Sequence, residues 1–410
     1  MRAVFLNRFF HPDHSATSQI LTDLAVKLAL DGHDIKVIAS RSRYDAPDAR
    51  LPAVDQLGGI EIRRVWTSRF GRFRLLGRSV DYVTFYLSAA WCLLWTARRG
   101  DVVVVKTDPP LLSVVAAPIV WLRGAHLVNW LQDLYPEVAQ ELGFGRGRLA
   151  GIAFKLLRAA RNWSLRCAAA NVVLGEQMRR RLLGFGIDPA RIRIAANWAD
   201  GSDKPLARFA PNRIREDWGA QGKFVIAYSG NLGRAHDIAT MQAAMESTVG
   251  EARILWVFVG GGALYQELQR HVATRGLGNV QFHPYQPRER LDESLAAADV
   301  HLVCLQPELE GLIVPSKIYG ILAAARPAIF IGALDGEVAR ILASGDCGET
   351  VLPGDGPGLA RLVVQLAADP ARCAAMGHRA RALSDRSLRK TPALAHWAGL
   401  LQAVCSRSGR

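Results

Sequence analysis

The sequence has few cysteines, and they lack the spacing found in disulfide scaffolds and structural zinc sites. Six cysteines are scattered over 410 residues without a Cys-x-x-Cys pair. Two close His–Cys pairs, at positions 301/304 and 373/378, have no further ligands at zinc spacing. These absences argue against a disulfide framework and a zinc site, and they favour a reducing compartment.

Long hydrophobic runs are also missing. Two apolar stretches, residues 82–97 and 109–122, fall short of the roughly 20 residues that a membrane-spanning helix needs. Met1 and Arg2 lead directly into a strand-like run, with no apolar region or cleavage site of a secretory signal. We expect a cytoplasmic protein that is either soluble or bound to a membrane surface.

Acidic residues are too few to balance the basic ones. The chain has 51 Lys and Arg against 37 Asp and Glu, a net charge of +14. Residues 1–200 carry +11 of this charge and residues 201–410 carry +3. An excess of positive charge allows anionic lipid, nucleic acid or a phosphorylated substrate as the partner. The distribution of the charge predicts that this partner binds mainly to the first half of the chain.

Short apolar strands alternate with helical stretches in both halves of the chain. The alternation predicts doubly wound parallel sheets, and the polar residues 199–212 are the predicted linker between two α/β domains. The predicted strands are residues 3–6, 35–39, 101–106, 127–131 and 170–174, then 224–228, 254–259, 279–282, 300–305 and 328–331.

Three loops of the second half follow predicted strands, where open α/β sheets bind ligands. Residues 229–233 (SGNLG) precede a helix, so their backbone N–H groups can hold a diphosphate, although a tight turn explains such a loop equally well. Residues 260–262 (GGG) favour turn geometry. The third loop, residues 308–327, reads ELEGLIVPSKIYGILAAARP.

The third loop carries the more specific signal. Pro315 suits a first helical turn, which would put Lys317 near a helix N-terminus. The helix dipole disfavours a cation there unless an anion lies beside it. A diphosphate contact is therefore predicted for Lys317, with a solvated lysine as the alternative.

Seven segments, in this order and spacing, resemble the retaining glycosyltransferases of family four. They are FLNRFFHPDHSATSQILTDLA, TDPPLLSV, NWLQDLYPE, YSGNLGRAHDI, FVGGGALYQEL, FHPYQPRERL and EGLIVPSKIYGILAAARP. The last resembles the Pro-Ser-Lys branch that builds bacterial surface polysaccharides. The resemblance covers nearly the whole chain.

The resemblance implies the GT-B fold, an α/β architecture of two Rossmann-like, doubly wound domains that face an interdomain cleft. Residues 1–200 would bind the acceptor and residues 201–385 the nucleotide sugar. A C-terminal helix within residues 386–410 would pack back on the first domain.

Donor-side roles follow from the resemblance. Glu310 would accept hydrogen bonds from the ribose, and Lys317 and Ser316 would contact the diphosphate, with Arg234 as a further cation. Tyr285 and Gln286 would bracket the base. The diphosphate loop would comprise Ser229, Gly230, Asn231 and Gly233.

The chain departs from the family pattern on this side. A second glutamate would fall at Ile318 or Gly320, and neither residue is acidic. Asn231 and His236 stand where relatives often have Arg and Lys.

Acceptor-side roles follow in the same way. Ser15 and Thr17 match a loop near the donor phosphates, and His14 is a candidate acceptor contact, with a plain loop histidine as the alternative. Gln132 stands where many relatives have a histidine. Asp133 and Glu137 would orient the acceptor, although carboxylates at a helix start are an equal alternative. The acceptor implied is a polyprenyl-diphosphate-linked sugar.

Chemistry in this fold is usually pictured as front-face displacement, in which the donor phosphate takes the acceptor proton. Lys317, Arg234 and the loop N–H groups would stabilise the leaving diphosphate. No Asp-x-Asp motif stands at a strand end, so we expect neither a metal nor a cofactor, and a UDP-sugar is the favoured donor.

Residues 63–99 hold eight arginines and one acid, Asp81, interleaved with aromatic residues. This composition is typical of an element that binds an anionic membrane surface. A buried helix preceded by a solvated basic turn is the alternative. A nucleic-acid partner is disfavoured because no such binding motif occurs.

We therefore predict a retaining glycosyltransferase, membrane-associated on the cytoplasmic side, that extends a lipid-linked intermediate of a surface polysaccharide. A GT-B nucleotide-sugar 2-epimerase is the nearest alternative. A non-catalytic lipid- or nucleic-acid-binding protein is another. An NAD-dependent oxidoreductase is disfavoured because no G-x-G-x-x-G follows the first strand. The sequence leaves the oligomeric state open.

Overall fold

The computed structural model describes residues 1–13, 15–44, 49–71, 75–145, 147–199 and 212–406. The chain divides into two compact units, Met1–Ala196 with Thr391–Arg410, and Asn197–Lys390. These junctions lie within a few residues of the predicted boundaries after positions 200 and 385. Most of the predicted linker, together with His14, Arg72 and Arg74, lies outside the described residues.

The first unit is built on an eight-stranded sheet in the order β3-β4-β2-β1-β5-β6-β7-β8. Its strands are β1 (Arg2–Leu6), β2 (Asp34–Ser40), β3 (Val54–Leu57), β4 (Ile60–Val65), β5 (Val102–Lys106), β6 (His126–Trp130), β7 (Ala170–Val173) and β8 (Ile192–Ile194). All neighbours pair in parallel except β3 and β4. Every residue of β5 is buried, as its run of four valines predicts.

Helices cover this sheet. They are α1 (Ala16–Leu30), α2 (Leu75–Thr96), α3 (Leu112–Leu122), α4 (Glu137–Glu141), α5 (Arg148–Cys167) and α6 (Glu176–Gly184). Phe85, Ala89 and Leu93 of α2 pack with apolar residues of α3 on the sheet. No helix within the described ranges is long and apolar enough to cross a bilayer.

The second unit is built on a six-stranded, fully parallel sheet in the order β11-β10-β9-β12-β13-β14. Its strands are β9 (Phe224–Asn231), β10 (Ile254–Gly261), β11 (Val280–His283), β12 (Val300–Cys304), β13 (Ala328–Ile331) and β14 (Gly348–Val351). Its helices are α7 (Arg213–Asp217), α8 (Ile238–Ser247), α9 (Tyr265–Arg275), α10 (Leu291–Ala296), α11 (Lys317–Ala323), α12 (Glu337–Gly345), α13 (Gly356–Ala368) and α14 (Pro370–Leu383).

The last helix, α15 (Lys390–Ser406), clusters from Thr391 onward with the first unit. The ring of its Trp397 lies 4.2 Å from that of Trp130 on β6. The Nε2 of His396 lies 3.1 Å from the carbonyl oxygen of Ile194. Buried aromatic contact thus attaches the C-terminal helix to the first sheet.

Each sheet has one point at which the strand order reverses. In the first sheet, β1 lies between β2 and β5; in the second, β9 lies between β10 and β12. Ligands of doubly wound sheets bind beyond the carboxyl ends of the strands at such points. The fold therefore predicts ligand contacts near Lys106, at the end of β5, and near the ends of β9 and β12.

Candidate functional site

Lys317 lies at the reversal point of the second sheet. Strand β9 ends at Asn231, β12 ends at Cys304, and the chain then runs to α11, which begins at Lys317 itself. Pro315 precedes this helix and Ser316 is its N-cap, so the helix begins later than Pro315 would suggest. The predicted position of Lys317 at a helix N-terminus agrees with the structure.

The ammonium group of Lys317 is buried among uncharged partners. Its Nζ lies 3.5 Å from the centre of the Tyr228 ring. It has no hydrogen-bond partner among the described residues. Burial lowers the pKa of Lys317 to about 7, and the thiol of Cys304 acts in the opposite direction. An unpaired buried ammonium is costly unless an anion joins it, which makes this position receptive to a phosphate.

The predicted diphosphate loop begins inside the sheet. Ser229, Gly230 and Asn231 are the last residues of β9, so the loop proper starts three residues later than predicted. The hydroxyl of Ser229 is buried and lacks a partner within the described ranges. Gly230 has φ +123°, and a Cβ placed on it would lie 3.6 Å from the Nζ of Lys317. Two unpartnered polar groups therefore border a glycine at the end of β9.

His236 stands in the loop position where relatives often have a lysine, but it serves the fold. Its Nε2 lies 2.9 Å from the Tyr228 hydroxyl and its Nδ1 lies 2.8 Å from the Gly233 carbonyl oxygen. Burial and then the charge of Lys317 lower the pKa of His236 to about 4. The ring is therefore neutral at pH 7 and supplies no cation. Arg234, two residues before it, is exposed.

The three glycines at positions 260–262 allow close backbone contact. A Cβ on Gly260 would lie 2.3 Å from the carbonyl oxygen of Gly230, and one on Gly262 would lie 2.5 Å from that of Leu232. The ring of Tyr285 lies over Gly260, 3.1 Å from the same Cβ position, and is 60% exposed. The glycines thus bring β10 against β9 and leave the Tyr285 ring open to a ligand.

Glu310 contacts the start of another helix. Its Oε2 accepts a hydrogen bond of 3.2 Å from the backbone N–H of Glu337, the first residue of α12. A Cβ on Gly336 would lie 2.3 Å from its Oε1. The helix dipole favours a carboxylate at this place. The ribose contact remains a prediction, as do those of Gln286, whose Nε2 donates to the Pro284 carbonyl oxygen, and of Ser316, which is exposed.

Lys106 lies at the reversal point of the first sheet, and sequence reasoning missed it. Its Nζ donates to the Thr17 carbonyl oxygen at 3.0 Å and lies 4.0 Å from the centre of the Trp130 ring. The Thr17 hydroxyl donates to Asp108 at 3.4 Å. Thr17 lies in the first turn of α1, not in a loop as predicted, and both residues hold it there. The signal available in the sequence was a lysine ending a buried strand.

Two half-buried carboxylates lie near Lys106. Burial raises the pKa of Asp133 to about 6; Asp108 raises it further and Lys106 opposes the shift. Burial also raises the pKa of Asp108, against the charge of Arg8. Gln132, next to Asp133, is buried, and its backbone N–H donates to the Thr107 hydroxyl at 3.1 Å. The structure thus groups Thr17, Gln132 and Asp133 at this end of the sheet.

Glu137 forms an ion pair within the first unit. Its carboxylate accepts two hydrogen bonds from Arg161 of α5, at 2.6 and 3.0 Å. Arg161 is buried and has no other carboxylate partner among the described residues, so the pair fixes α5 against the start of α4. This geometry favours the structural alternative for Glu137 over an acceptor contact. Ser15 caps α1, and its hydroxyl is buried without a partner in the described part of the chain.

Within the described ranges, no cluster of three or more His, Cys, Asp or Glu side chains is arranged to hold an ion.

Two known protein families together match most of the chain. Residues 16–198 match the glycosyl transferase 4-like domain, and residues 212–383 match the glycosyl transferases group 1 domain. The chain is a glycosyltransferase. Two relatives agree with this assignment. The probable glycosyltransferase WbjE of Pseudomonas aeruginosa is 27% identical over 367 residues, 89% of each chain. WcaI of Escherichia coli, described as a colanic acid biosynthesis glycosyl transferase, is 25% identical over 78% of this chain and 80% of its own.

Solved structures confirm the predicted GT-B fold of the transferase. HepE of Anabaena, in a complex with UDP, superposes with a TM-score of 0.71 over 98% of this chain and 100% of its own, at 15% identity. HepE has also been solved with UDP-glucose. At this identity the likeness concerns the fold alone.

Proposed function

We propose that this glycosyltransferase moves a sugar from a UDP-sugar to a polyprenyl-diphosphate-linked glycan, with retention, in the synthesis of a surface polysaccharide. The observation that carries the donor assignment is the unpartnered Nζ of Lys317 at the reversal point of the second sheet. The UDP and UDP-glucose complexes of HepE support the choice of nucleotide. The name of WcaI supports the polysaccharide.

Lys317 would bind the diphosphate of the donor and stabilise the charge that develops on it as the glycosidic bond breaks. A cation held ready in a site without water stabilises such charge more than the same cation in solution. Gly230 leaves room for a phosphate beside Nζ, and the hydroxyl of Ser229 can donate to it. Tyr285 and Gln286 would contact the base, Glu310 the ribose, and exposed Arg234 the outer phosphate.

The first unit would present the acceptor hydroxyl. Asp133 would accept a hydrogen bond from it and orient it, with Thr17 and Gln132 beside it. Transfer would follow front-face displacement, in which the donor phosphate receives the hydroxyl proton. We propose that no protein nucleophile and no metal take part.

Residues 63–99 would bind the enzyme to the cytoplasmic face of an anionic membrane. Trp66 and Phe70 are 62% and 69% exposed, and Asp81, the only acid, is buried and accepts hydrogen bonds from backbone N–H groups at positions 70 and 71. Two arginines of this segment would not bind lipid, because Arg63 pairs with Glu61 and the buried Arg64 pairs with Asp55. The lipid contacts therefore fall to the exposed arginines that follow β4.

Replacement of Lys317 by Met tests the donor assignment. Loss of the cation should weaken UDP binding at least tenfold by calorimetry and lower the transfer rate by about 10²–10³-fold. Lys223→Met is the matched control, since Lys223 lies on an exposed turn at the opposite end of β9. UDP binding by Lys317→Met equal to that of the wild type would exclude the diphosphate role.

A further inference from the structure

Helix α5 has an apolar face that no other part of the described structure covers. Only Arg161, Ser164 and Leu165 of its 20 residues are buried. Five large apolar side chains are exposed along its length: Leu149 (84%), Ile152 (59%), Leu156 (66%), Leu157 (39%) and Trp163 (44%). All of these except Leu157 recur, together with Ala159, at spacings of three and four residues, so they follow one line along a helix of about 30 Å.

Basic residues flank this line. Arg148, Lys155 and Arg166 are exposed and lie on the adjacent side of α5. No acidic residue occurs between positions 142 and 175, which contain six Lys and Arg. One of the six, Arg161, points inward to Glu137. An exposed apolar line beside cations, with no anion near in sequence, is complementary to an anionic lipid surface and not to a basic or neutral protein.

Neighbouring helices continue the same kind of surface. Helix α3 packs between α2 and α5, and its Trp121 and Leu122 are 83% and 66% exposed. Helix α2 exposes a further line of apolar side chains: Leu76, Val80, Val83, Leu87, Trp91 and Trp95. The three adjacent helices therefore expose apolar side chains over one layer of the first unit.

We propose that α5 is a second membrane-binding element, separate from residues 63–99, and that it lies in the headgroup region of an anionic bilayer. Leu149, Ile152, Leu156 and Trp163 enter the acyl boundary, and Arg148, Lys155 and Arg166 contact lipid phosphates. This inference rests on the membrane association in the proposed function. It adds that residues 63–99 alone do not account for binding.

Co-sedimentation of the full chain with vesicles of phosphatidylcholine and phosphatidylglycerol tests α5 directly. The variant Leu149→Gln/Ile152→Gln/Leu156→Gln keeps good helix formers at exposed positions, so the fold should persist. It should lower the vesicle partition coefficient at least tenfold. Arg148→Gln/Lys155→Gln should lower it several-fold and only in the presence of the anionic lipid. Amide hydrogen exchange over residues 148–160 should slow when vesicles are added to the wild type.

Matched controls separate this inference from the proposed function. Val249→Gln/Leu334→Gln/Leu352→Gln removes three exposed apolar side chains of the second unit, which are 51%, 63% and 48% exposed, and should leave partition unchanged. Val83→Gln/Leu87→Gln/Trp91→Gln tests α2 in the same assay. Far-UV circular dichroism and an unchanged urea midpoint report that each variant is folded, because UDP binding tests only the second unit.

Three outcomes would overturn the proposal. Wild-type partition by the α5 triple variant, with a loss in the α2 variant, would leave the proposed function standing and remove α5. Absence of wild-type binding to anionic vesicles would remove both membrane assignments while leaving UDP binding untouched. A lipid-free dimer that the α5 triple variant converts to monomer, with partition unchanged, would show that a second copy covers this face.

Discussion

Lys106 and Lys317 occupy matching places in the two units. Each lies beside the point where its sheet reverses strand order, one at the end of β5 and the other after β12. Each Nζ lies over an aromatic ring, Trp130 at 4.0 Å and Tyr228 at 3.5 Å. Burial lowers the pKa of each lysine to about 7.

Their partners differ. Lys106 donates to a backbone carbonyl and lies near the carboxylates of Asp108 and Asp133, which partly offset its burial. Lys317 lacks a hydrogen-bond partner in the described structure, and no carboxylate is among the groups that shift its pKa. Equivalent positions in the two sheets therefore hold a lysine that donates to helix α1 in the first unit and a lysine without a hydrogen-bond partner among the described residues in the second.

The largest difference between the two lysines should appear when each charge is removed and the free energy of unfolding is measured. Lys317→Met should raise the free energy of unfolding by about 2 kcal/mol at pH 6, because an unpaired buried ammonium is replaced by an apolar side chain of similar size. Lys106→Met should give a smaller gain or a loss, because it leaves the Thr17 carbonyl and two carboxylates without their cation. Urea unfolding of both variants measures the difference.

The sign of the pH dependence gives a control for this stability effect. The pKa of Lys317 is about 7 in the folded enzyme and near 10.5 in the unfolded chain, so the unfolded chain binds more protons between these values. Wild-type stability should therefore rise with pH across this range. The gain from Lys317→Met should be complete below pH 7 and shrink as pH approaches 10.5. Equal gains for both variants at pH 6 would show that the two lysines are equally unpaired.

Proton uptake on nucleotide binding sharpens the comparison further. A diphosphate beside Nζ should raise the pKa of Lys317, so UDP binding at pH 8.5 should draw in close to one proton, whereas binding at pH 5.5 should draw in almost none through this group. Calorimetry in buffers of different ionisation enthalpy counts these protons. Lys317→Met provides the baseline for protons that UDP itself takes up.

The variant Lys106→Met is the second test in the measurement of proton uptake on UDP binding. Lys106→Met should retain the uptake at pH 8.5, because its effects fall on Asp133 and on Thr17 at the start of α1, both in the first unit. Loss of uptake in Lys106→Met, with retention in Lys317→Met, would reverse the assignment of the two lysines.

Much of the fold could be predicted from the sequence, because buried parallel strands are continuous apolar runs. Strand β13 agrees with its predicted bounds, and β9 differs only by its extension to Asn231. Strands β3, β8 and β14 were missed; they lie at sheet edges, where a strand is half exposed and no such run is needed. Strand β4, next to an edge, was missed as well.

The sites could be predicted only in part. Lys317 was found because a lysine at a helix start conflicts with the dipole. Lys106 was not, since its contact with Thr17 spans 89 positions. For Glu137 an acceptor contact and a helix-start carboxylate stayed equal alternatives, because its pairing with Arg161, 24 positions away, cannot be read from local spacing. The same pairing decides which face of α5 is exposed.

The smallest expected effect concerns Ser229 and Ser15, two serines whose hydroxyls are buried and lack partners in the described structure. Ser229→Ala should weaken UDP binding by about 2- to 10-fold, the contribution of one hydrogen bond of about 0.5–1.5 kcal/mol. It should not lower stability, because the buried Ser229 hydroxyl makes no hydrogen bond to the described residues. Ser15→Ala, at the start of α1 in the first unit, should leave UDP binding unchanged. Calorimetric titration of both variants with UDP measures this contrast. Equal weakening by both would mean that the nucleotide does not distinguish the two reversal points, and the division into donor and acceptor ends would fail.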